Sequence, residues 1–360
     1  MNDIKIREIR PEDLPQLEEL LATRPELNAE GAKKRAQLMD WIAFHNPNSG
    51  QDATYFVAEH NGKIIGFHGR MPTKFNFEGV LKNGYFIHDL YVHPTYREKG
   101  MGFWLTVAFA KEIENTSKYF FILVWMTGFN LQLQRRRKYF ELEDRIETFK
   151  KVLKSKVYLE HFLRSKLLAN ITSPVVDLIL QFLDLKLWFL PEEKLQKVAR
   201  FDHRFDEFMQ RIAPKIGITS VRNSEVLNWR YIDRPFPRDT IMARSQNNQI
   251  KGFVVVCENP KFKGQGEVLD LMADPNDTET ITILLKGAIR HFKQMGFHTI
   301  SCFMSNKHYS KQHTNCLFIK RKEKKVVLLG NCEKEDLSVM KELQNWHFTK
   351  SESDGFMLNF

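Results

Sequence analysis

The chain has 360 residues, 42 % hydrophobic, 12 % aromatic and 27 % charged, which excludes global disorder and leaves material for two cores. Its formal net charge of +10 suits an anionic partner: nucleic acid, a membrane surface or a phosphorylated small molecule. Cys257, Cys302, Cys316 and Cys332 form no CxxC pair, so neither a metal site nor a disulfide framework is expected, and a reducing, cytoplasmic setting is.

The opening MNDIKIREIRPEDL lacks an apolar segment, so no signal peptide is expected. Residues 4–9 alternate apolar and polar, the pattern of a half-buried strand. Pro11, Glu12 and Asp13 then open a helix through Leu21, since proline fits the first turn and acids suit the positive helix end. A second helix is expected over 32–44. Strands are expected over 54–59 and 63–70, joined by an Asn61-Gly62 hairpin turn, with a further short strand over 74–78. A long strand covers 85–92. A helix covers 100–113 and puts Met101, Leu105, Ala108 and Phe109 on one face. The continuous apolar run over 119–126 suits a strand covered on both faces.

Residues 131–200 read differently. They hold the basic run Arg135, Arg136, Arg137, Lys138, then amphipathic segments over 151–168. The apolar stretch 173–190 is interrupted by Asp177, Asp184 and Lys186, so no spanning helix is expected and a buried or interfacial one is. Pro191-Glu192-Glu193 reads as the start of another helix. From about 204 a second mixed pattern begins. It has paired strands over 240–243 and 250–257 around Asn247-Asn248, and a strand over 267–273. A helix follows, boxed by Asn276 and Glu279, and then strands over 297–303 and 325–329. The expected domains are 1–150, a helical connector 151–203, and 204–360.

A weak internal repeat links the halves. Asn61-Gly62-Lys63-Ile64-Ile65-Gly66-Phe67 parallels Asn247-Asn248-Gln249-Ile250-Lys251-Gly252-Phe253, and Asp89-Leu90-Tyr91-Val92-His93-Pro94 parallels Asp270-Leu271-Met272-Ala273-Asp274-Pro275. Both pairs fall in the same order, which points to duplication.

The segment DLYVHPTYREKGMGFWL, from Asp89 to Leu105, carries the clearest chemistry. A strand ends near Val92, and Gly100 and Gly102 flank a helix start. The free N–H groups of a first helical turn, added to the positive helix end and Arg97, make a site for a pyrophosphate. The alternative is a plain glycine-rich connection.

Arg97-Glu98-Lys99-Gly100-Met101-Gly102 resembles the R/Q-x-x-G-x-G/A acyl-CoA signature of the GNAT N-acetyltransferase superfamily. The resemblance covers about 4–140. It implies a mixed α/β sheet that splays between its fourth and fifth strands, with the pantetheine arm of acetyl-CoA paired to Leu90, Tyr91 and Val92. It also implies a pyrophosphate on the amides from Glu98 through Lys99 and Gly100 to Met101 and Gly102. Position-matching puts Thr278, Ile281 and Ile283 where Arg97, Gly100 and Gly102 stand, so the second half is not expected to bind coenzyme A. The expected fold is therefore a tandem GNAT-like acyltransferase with one cofactor site.

The whole chain is also similar to bacterial acetyltransferases associated with surface-polysaccharide genes. The residues behind this are Gly128-Phe129-Asn130, Leu227-Asn228-Trp229-Arg230-Tyr231 with Pro235, and Trp346 through Ser353-Asp354.

Transfer to an amine needs a base and a proton for the leaving thiolate. His88 and Asp89 stand just before the pantetheine-pairing residues, where family members often place a glutamate. His88 is either the base or a packed histidine, and Asp89 is the second candidate. Tyr139 is the nearest match to the family's acid tyrosine, with a core aromatic as its alternative. Asn130 resembles the asparagine that contacts the cofactor, or caps a helix. The run 135–138 could hold a 3′-phosphate, an anionic glycan carrier or a membrane surface, or be a solvated face. Trp229, Arg230 and Tyr231 could stack a sugar or simply pack. The expected reaction is acetyl transfer from acetyl-CoA to a small-molecule primary amine. The resemblance suggests an amino sugar of a surface-polysaccharide precursor. Nucleic acid is not an expected partner, and peripheral contact with a membrane or lipid-linked glycan is open. The alternatives are a non-catalytic acyl-CoA sensor and a peptidoglycan aminoacyltransferase-like enzyme.

Overall fold

The computed structural model describes residues 3–50, 52–98, 100–117, 119–125, 135–137, 139–142, 146–322 and 325–352. Lys99, Asn130 and Lys138, with Gly128, Phe129, Ser353 and Asp354, lie outside the described residues.

The strands, in chain order, are β1 (Ile4–Glu8), β2 (Tyr55–His60), β3 (Lys63–Phe77), β4 (Val80–Val92), β5 (Phe120–Trp125), β6 (Phe140–Glu141), β7 (Glu147–Val152), β8 (Gln196–Lys197), β9 (Ile218–Ser220), β10 (Thr240–Gln246), β11 (Gln249–Glu258), β12 (Gln265–Ala273), β13 (Thr299–Met304), β14 (Ile319–Lys322) and β15 (Lys325–Gly330). The helices are α1 (Leu14–Ala22), α2 (Ala29–Phe44), α3 (Pro94–Glu98), α4 (Met101–Thr116), α5 (Lys156–Leu163), α6 (Lys166–Asp184), α7 (His203–Ile212), α8 (Ser224–Tyr231), α9 (Thr278–Gln294), α10 (Lys307–Asn315) and α11 (Lys334–Met340).

These elements build two sheets. One runs β1-β2-β3-β4-β5-β15-β6 with β9 along β3, and the other runs β14-β7-β13-β12-β11-β10-β8. The expected α/β class with mixed sheets is the class found. The same local order occurs twice. β2, β3 and β4 pair antiparallel, and β4 runs parallel to β5 after α4; β10, β11 and β12 pair antiparallel, and β12 runs parallel to β13 after α9.

The sheets do not follow the sequence division. β15 leaves the C-terminal part to pair with β5, and β7 leaves the N-terminal part to sit between β13 and β14. A cut at 150 would fall inside β7, so each half depends on a strand of the other.

One apolar cluster joins the halves. In it Trp41 stacks on Trp229 at 4.4 Å, and Trp346 meets Phe121 edge-on at 4.9 Å. Two further clusters lie on single sheets, one with Leu105, Phe109 and Ile113 of α4 over Tyr85, Ile87 and Val92, the other with Ile281, Leu285 and Ile289 of α9 over Val254 and Leu271.

Four sequence expectations change. The strands over 63–70 and 74–78 are one strand, β3. Its pairing with β2 ends at Gly69 and its pairing with β9 begins at Phe75, so Pro72 stands where a missing N–H costs no ladder bond. No helix begins at Pro191; Glu192 is drawn to Lys286 at 2.8 Å and Glu193 to Arg244 at 2.8 Å. The cap of α9 is Asp277, not Asn276, because the helix begins at Thr278 and Glu279 turns to Arg244.

The fourth change concerns the connector. Lys166–Phe189, 24 residues, is long and apolar enough by length and composition to cross a membrane. Asp177 and Asp184, which interrupt its apolar pattern, turn inward. Asp177 accepts from the Ser155 N–H at 2.6 Å, and Asp184 accepts from Lys151 at 2.7 Å and Lys293 at 2.6 Å. Only 11 % of its apolar stretch is buried, so of the buried and interfacial readings the buried one fails.

Candidate active site

β4 and β5 pair at Tyr85–Phe120, Phe86–Phe121 and Ile87–Ile122. Beyond these β4 continues beside β3 to Val92, and β5 continues beside β15 to Trp125. The sheet opens between them. A bulge marks the opening. Gly69 faces His88 while Phe67 faces Tyr91, which leaves one extra residue on β4, and Asp89 takes φ +50°. One edge of Tyr91 and Val92 is held by β3, so the other faces the opening, with Leu90 in the bulge just before them.

The chain then turns through α3 into α4. Gly100 caps α4 at φ +74°, a left-handed conformation that glycine adopts without a Cβ penalty. Gly102 meets a tight neighbour instead: a Cβ there would come 3.1 Å from Cγ of Arg97, which would have to give way. The Arg97 guanidinium lies 5.2 Å from the centre of the Tyr91 ring. Among the described residues no side chain caps α4, and no acid stands in its first turn. Its first N–H groups, at Met101, Gly102 and Phe103, therefore present the positive helix end without a competing carboxylate. Leu90, Tyr91, Val92, Arg97, exposed Glu98, Gly100, Met101 and Gly102 thus share one strand–loop–helix segment at the opening. Lys99 and Asn130 fall outside the described residues.

The three acid–base candidates sit in different surroundings. The buried His88 ring packs edge-on to Tyr55 at 5.2 Å and lies over Gly69, where a Cβ would overlap it. Asp89 forms an ion pair with Arg35 at 2.7 Å and a longer one with Arg24 at 3.4 Å. Burial opposes its charge, but Arg35, His88 and Arg24 outweigh burial and hold its carboxyl below the usual value. The Tyr139 hydroxyl donates to Glu114 at 2.6 Å and accepts from Arg137 at 3.2 Å. Burial and then the Glu114 carboxylate raise its pKa. Arg24, Arg35 and Glu114 were not singled out in the sequence, because their partners lie 65, 54 and 25 positions away.

The run at 135–138 is partly engaged within the protein: Arg135 pairs with Glu141 at 2.8 Å and Arg137 with Glu114 at 2.5 Å. Trp229, Arg230 and Tyr231 are buried, with Trp229 on Trp41 and the Tyr231 hydroxyl donating to Asp270 at 3.0 Å, so they pack rather than offer a sugar platform.

The second half has the same parting, but it is closed. β12 and β13 pair over Gln265–Thr299, Gly266–Ile300 and Glu267–Ser301, then diverge. At the positions matching 90–92, His347 Nε2 donates to Leu271 O at 3.1 Å. The Tyr309 hydroxyl donates to Ala273 O at 2.5 Å and accepts from Ala273 N at 2.9 Å. Ser305, just past β13, donates to Trp346 O at 2.5 Å and accepts from Phe348 N at 2.8 Å. Residues 346–349 therefore bridge the parted strands. The helix end is closed as well: the Asp277 carboxylate accepts from Thr280 N at 2.9 Å and from the Thr280 hydroxyl at 2.6 Å. A carboxylate there repels a phosphate.

Residues 51–140 match the family model described as an acetyltransferase (GNAT) domain. No curated protein sequence matches the chain. Among solved structures the chain is similar to Saccharomyces cerevisiae N-myristoyltransferase with bound myristoyl-CoA, at 13 % identity and a TM-score of 0.57, over 92 % of this chain and 79 % of that one. It is also similar to a GCN5-related N-acetyltransferase from Kribbella flavida, at 14 % identity and a TM-score of 0.56, over 90 % and 70 %. A GCN5-related N-acetyltransferase from Anabaena variabilis gives 13 % and 0.56, over 90 % and 72 %. These likenesses are of fold, and the expected GNAT-like acyltransferase fold is the one found. Domain match and fold together support an N-acyltransferase.

Proposed function

We propose that the chain transfers an acetyl group from acetyl-CoA to a primary amine at one site, in its first half. The observation that carries this is the contrast between the partings. The one beside β4 meets an α4 start with no side-chain cap among the described residues and no acid in its first turn, while the one beside β12 is bridged by its own chain and capped by Asp277. The cradle fits a pyrophosphate, and the edge at 90–92 fits an amide-bearing pantetheine arm.

In the reaction the amine nitrogen bonds to the thioester carbon, the carbon–sulfur bond breaks, one amine proton leaves and the thiolate takes a proton. We assign the base to His88, the first β4 residue past the last pair with β5. Asp89 holds a fixed negative charge for Arg35, and Tyr139 is fixed by Glu114. An amino sugar of a surface-polysaccharide precursor as acceptor rests on sequence resemblance. The free thiols of Cys257, Cys302, Cys316 and Cys332 support a reducing, cytoplasmic setting.

The test is thiol release from acetyl-CoA against a panel of amino sugars, amines and peptides. His88→Ala should keep acetyl-CoA binding and lose about a hundredfold in turnover. The engagement of both Asp89 and Tyr139 favours a second reading, an acyl-CoA sensor. Binding without turnover of any amine would establish that reading instead.

A further inference from the structure

The connector presents an apolar face that the body of the protein leaves uncovered. Ile171, Val175, Leu178 and Phe182 are 64 %, 61 %, 66 % and 71 % exposed, and their spacing of four, three and four puts them on one stripe of α6. The turn that follows adds Trp188 and Phe189, 79 % and 90 % exposed. The opposite stripe faces the body. Ala169 and Ser173 are buried there, and Asp177 and Asp184 are bound to Ser155, Lys151 and Lys293.

Charge on this segment is sorted in the same way. Of its acids, Asp177 and Asp184 turn inward, whereas Arg164 and Lys166 are exposed at the start of α6 and Lys186 just past its end, at the two ends of the apolar stripe, with Lys154 and Lys156 near the start of α5. A second copy of this chain would bring an identical basic rim against the first. Crossing a bilayer would strip Asp184 from Lys151 and Lys293, which hold α6 side-on. An apolar stripe with a basic rim and a tryptophan near its end instead suits a helix lying in the plane of a membrane surface.

We infer that α6 and the turn after it dock the protein onto a lipid bilayer carrying anionic lipid. The apolar stripe enters the headgroup boundary and Arg164, Lys166 and Lys186 meet lipid phosphates. Each such basic residue contributes about fivefold to binding near an anionic surface. This stands independently of the acyl-transfer reading.

The experiment is flotation of the full chain with vesicles of phosphatidylcholine and phosphatidylglycerol, against phosphatidylcholine alone. The wild type should float with the anionic vesicles, less so at high salt, and weakly with the neutral ones. The double variant Leu178→Glu, Phe182→Glu should lose about a hundredfold in vesicle binding with an unchanged melting temperature, since each large apolar side chain is worth tenfold or more. Should that variant misfold, Trp188→Ser in the exposed turn gives the same reading with a smaller loss. The inference is overturned if the wild type ignores anionic vesicles, or if folded variants float like wild type. It is equally overturned if the wild type ignores vesicles and light scattering shows a dimer that the double variant abolishes, because the stripe is then a contact between copies.

Discussion

The Asp89 carboxylate lies 2.7 Å from the Arg35 guanidinium, at the point where β4 bulges and the sheet begins to open. The matching residue of the second half, Asp270, lies 2.8 Å from Arg222. The parallel is structural: in both halves an arginine from outside the strand holds an aspartate just past the point where the strands part.

Of the two arginines at Asp89, Arg35 should matter more to the fold. Arg35→Met leaves a buried carboxylate without its nearest partner and should cost about 3 kcal/mol in urea unfolding. Arg24→Met, at 3.4 Å, should cost less. Because Asp89 is held below its usual pKa, the contribution is present at neutral pH and is lost as pH falls through the lowered value. The gap between wild type and Arg35→Met should therefore shrink below about pH 4. Equal costs for the two arginines would contradict this assignment.

The two glycines of the cradle should respond differently. Gly100→Ala meets open space but keeps a left-handed backbone, and should cost about 1–2 kcal/mol in stability. Gly102→Val pushes into the stem of Arg97 and should weaken acetyl-CoA binding about tenfold or more, with the melting temperature nearly kept. Calorimetry on the folded variants checks this. An undiminished affinity for Gly102→Val would remove the cradle from the cofactor site.

Asp277 should matter to stability alone. Asp277→Ala removes the cap of α9 and should cost about 1 kcal/mol. Acetyl-CoA affinity should not change. A second binding event in this variant would mean that capping, rather than the bridge at 346–349, is what keeps the second half closed.

Three buried histidines should make the fold sensitive to mild acid. Burial holds His68 down to about 3 and His313 and His347 down to about 4. Each is neutral when folded and free to protonate when unfolded, so unfolding takes up protons as pH drops below the ordinary histidine value of about 6.5. Unfolding free energy should fall steadily from there toward pH 4. A flat profile between pH 7 and 5 would show that these rings are charged in the fold.

Local signals in the sequence carried far. Asn61-Gly62 and Asn247-Asn248 both take the left-handed backbone of tight hairpin turns, and Gly100 stands at the start of α4. What escaped the sequence depends on distant partners. The strands expected over 63–70 and 74–78 are continuous in β3, and the end of the β2 ladder at Gly69, which accommodates Pro72, has no local signal. The exchange of β7 and β15 pairs residues about 150 to 200 positions apart, which no periodicity encodes. Asp184 interrupts the apolar pattern of α6, and the partners that hold it, Lys151 and Lys293, lie 33 and 109 positions away. Thr278, Ile281 and Ile283 imply in sequence only that the second half lacks the glycine cradle; the hydrogen bonds of His347 and Tyr309 that close its parting have no local signal.

The central claim is one open parting and one closed one. Hydrogen exchange followed by mass spectrometry, with and without acetyl-CoA, tests it most directly. The account predicts slower exchange at Leu90, Tyr91 and Val92 and at Met101, Gly102 and Phe103, with no change at Leu271, Met272 and Ala273 or at the start of α9. Protection of the second set, or none at the first while acetyl-CoA is bound, would contradict it.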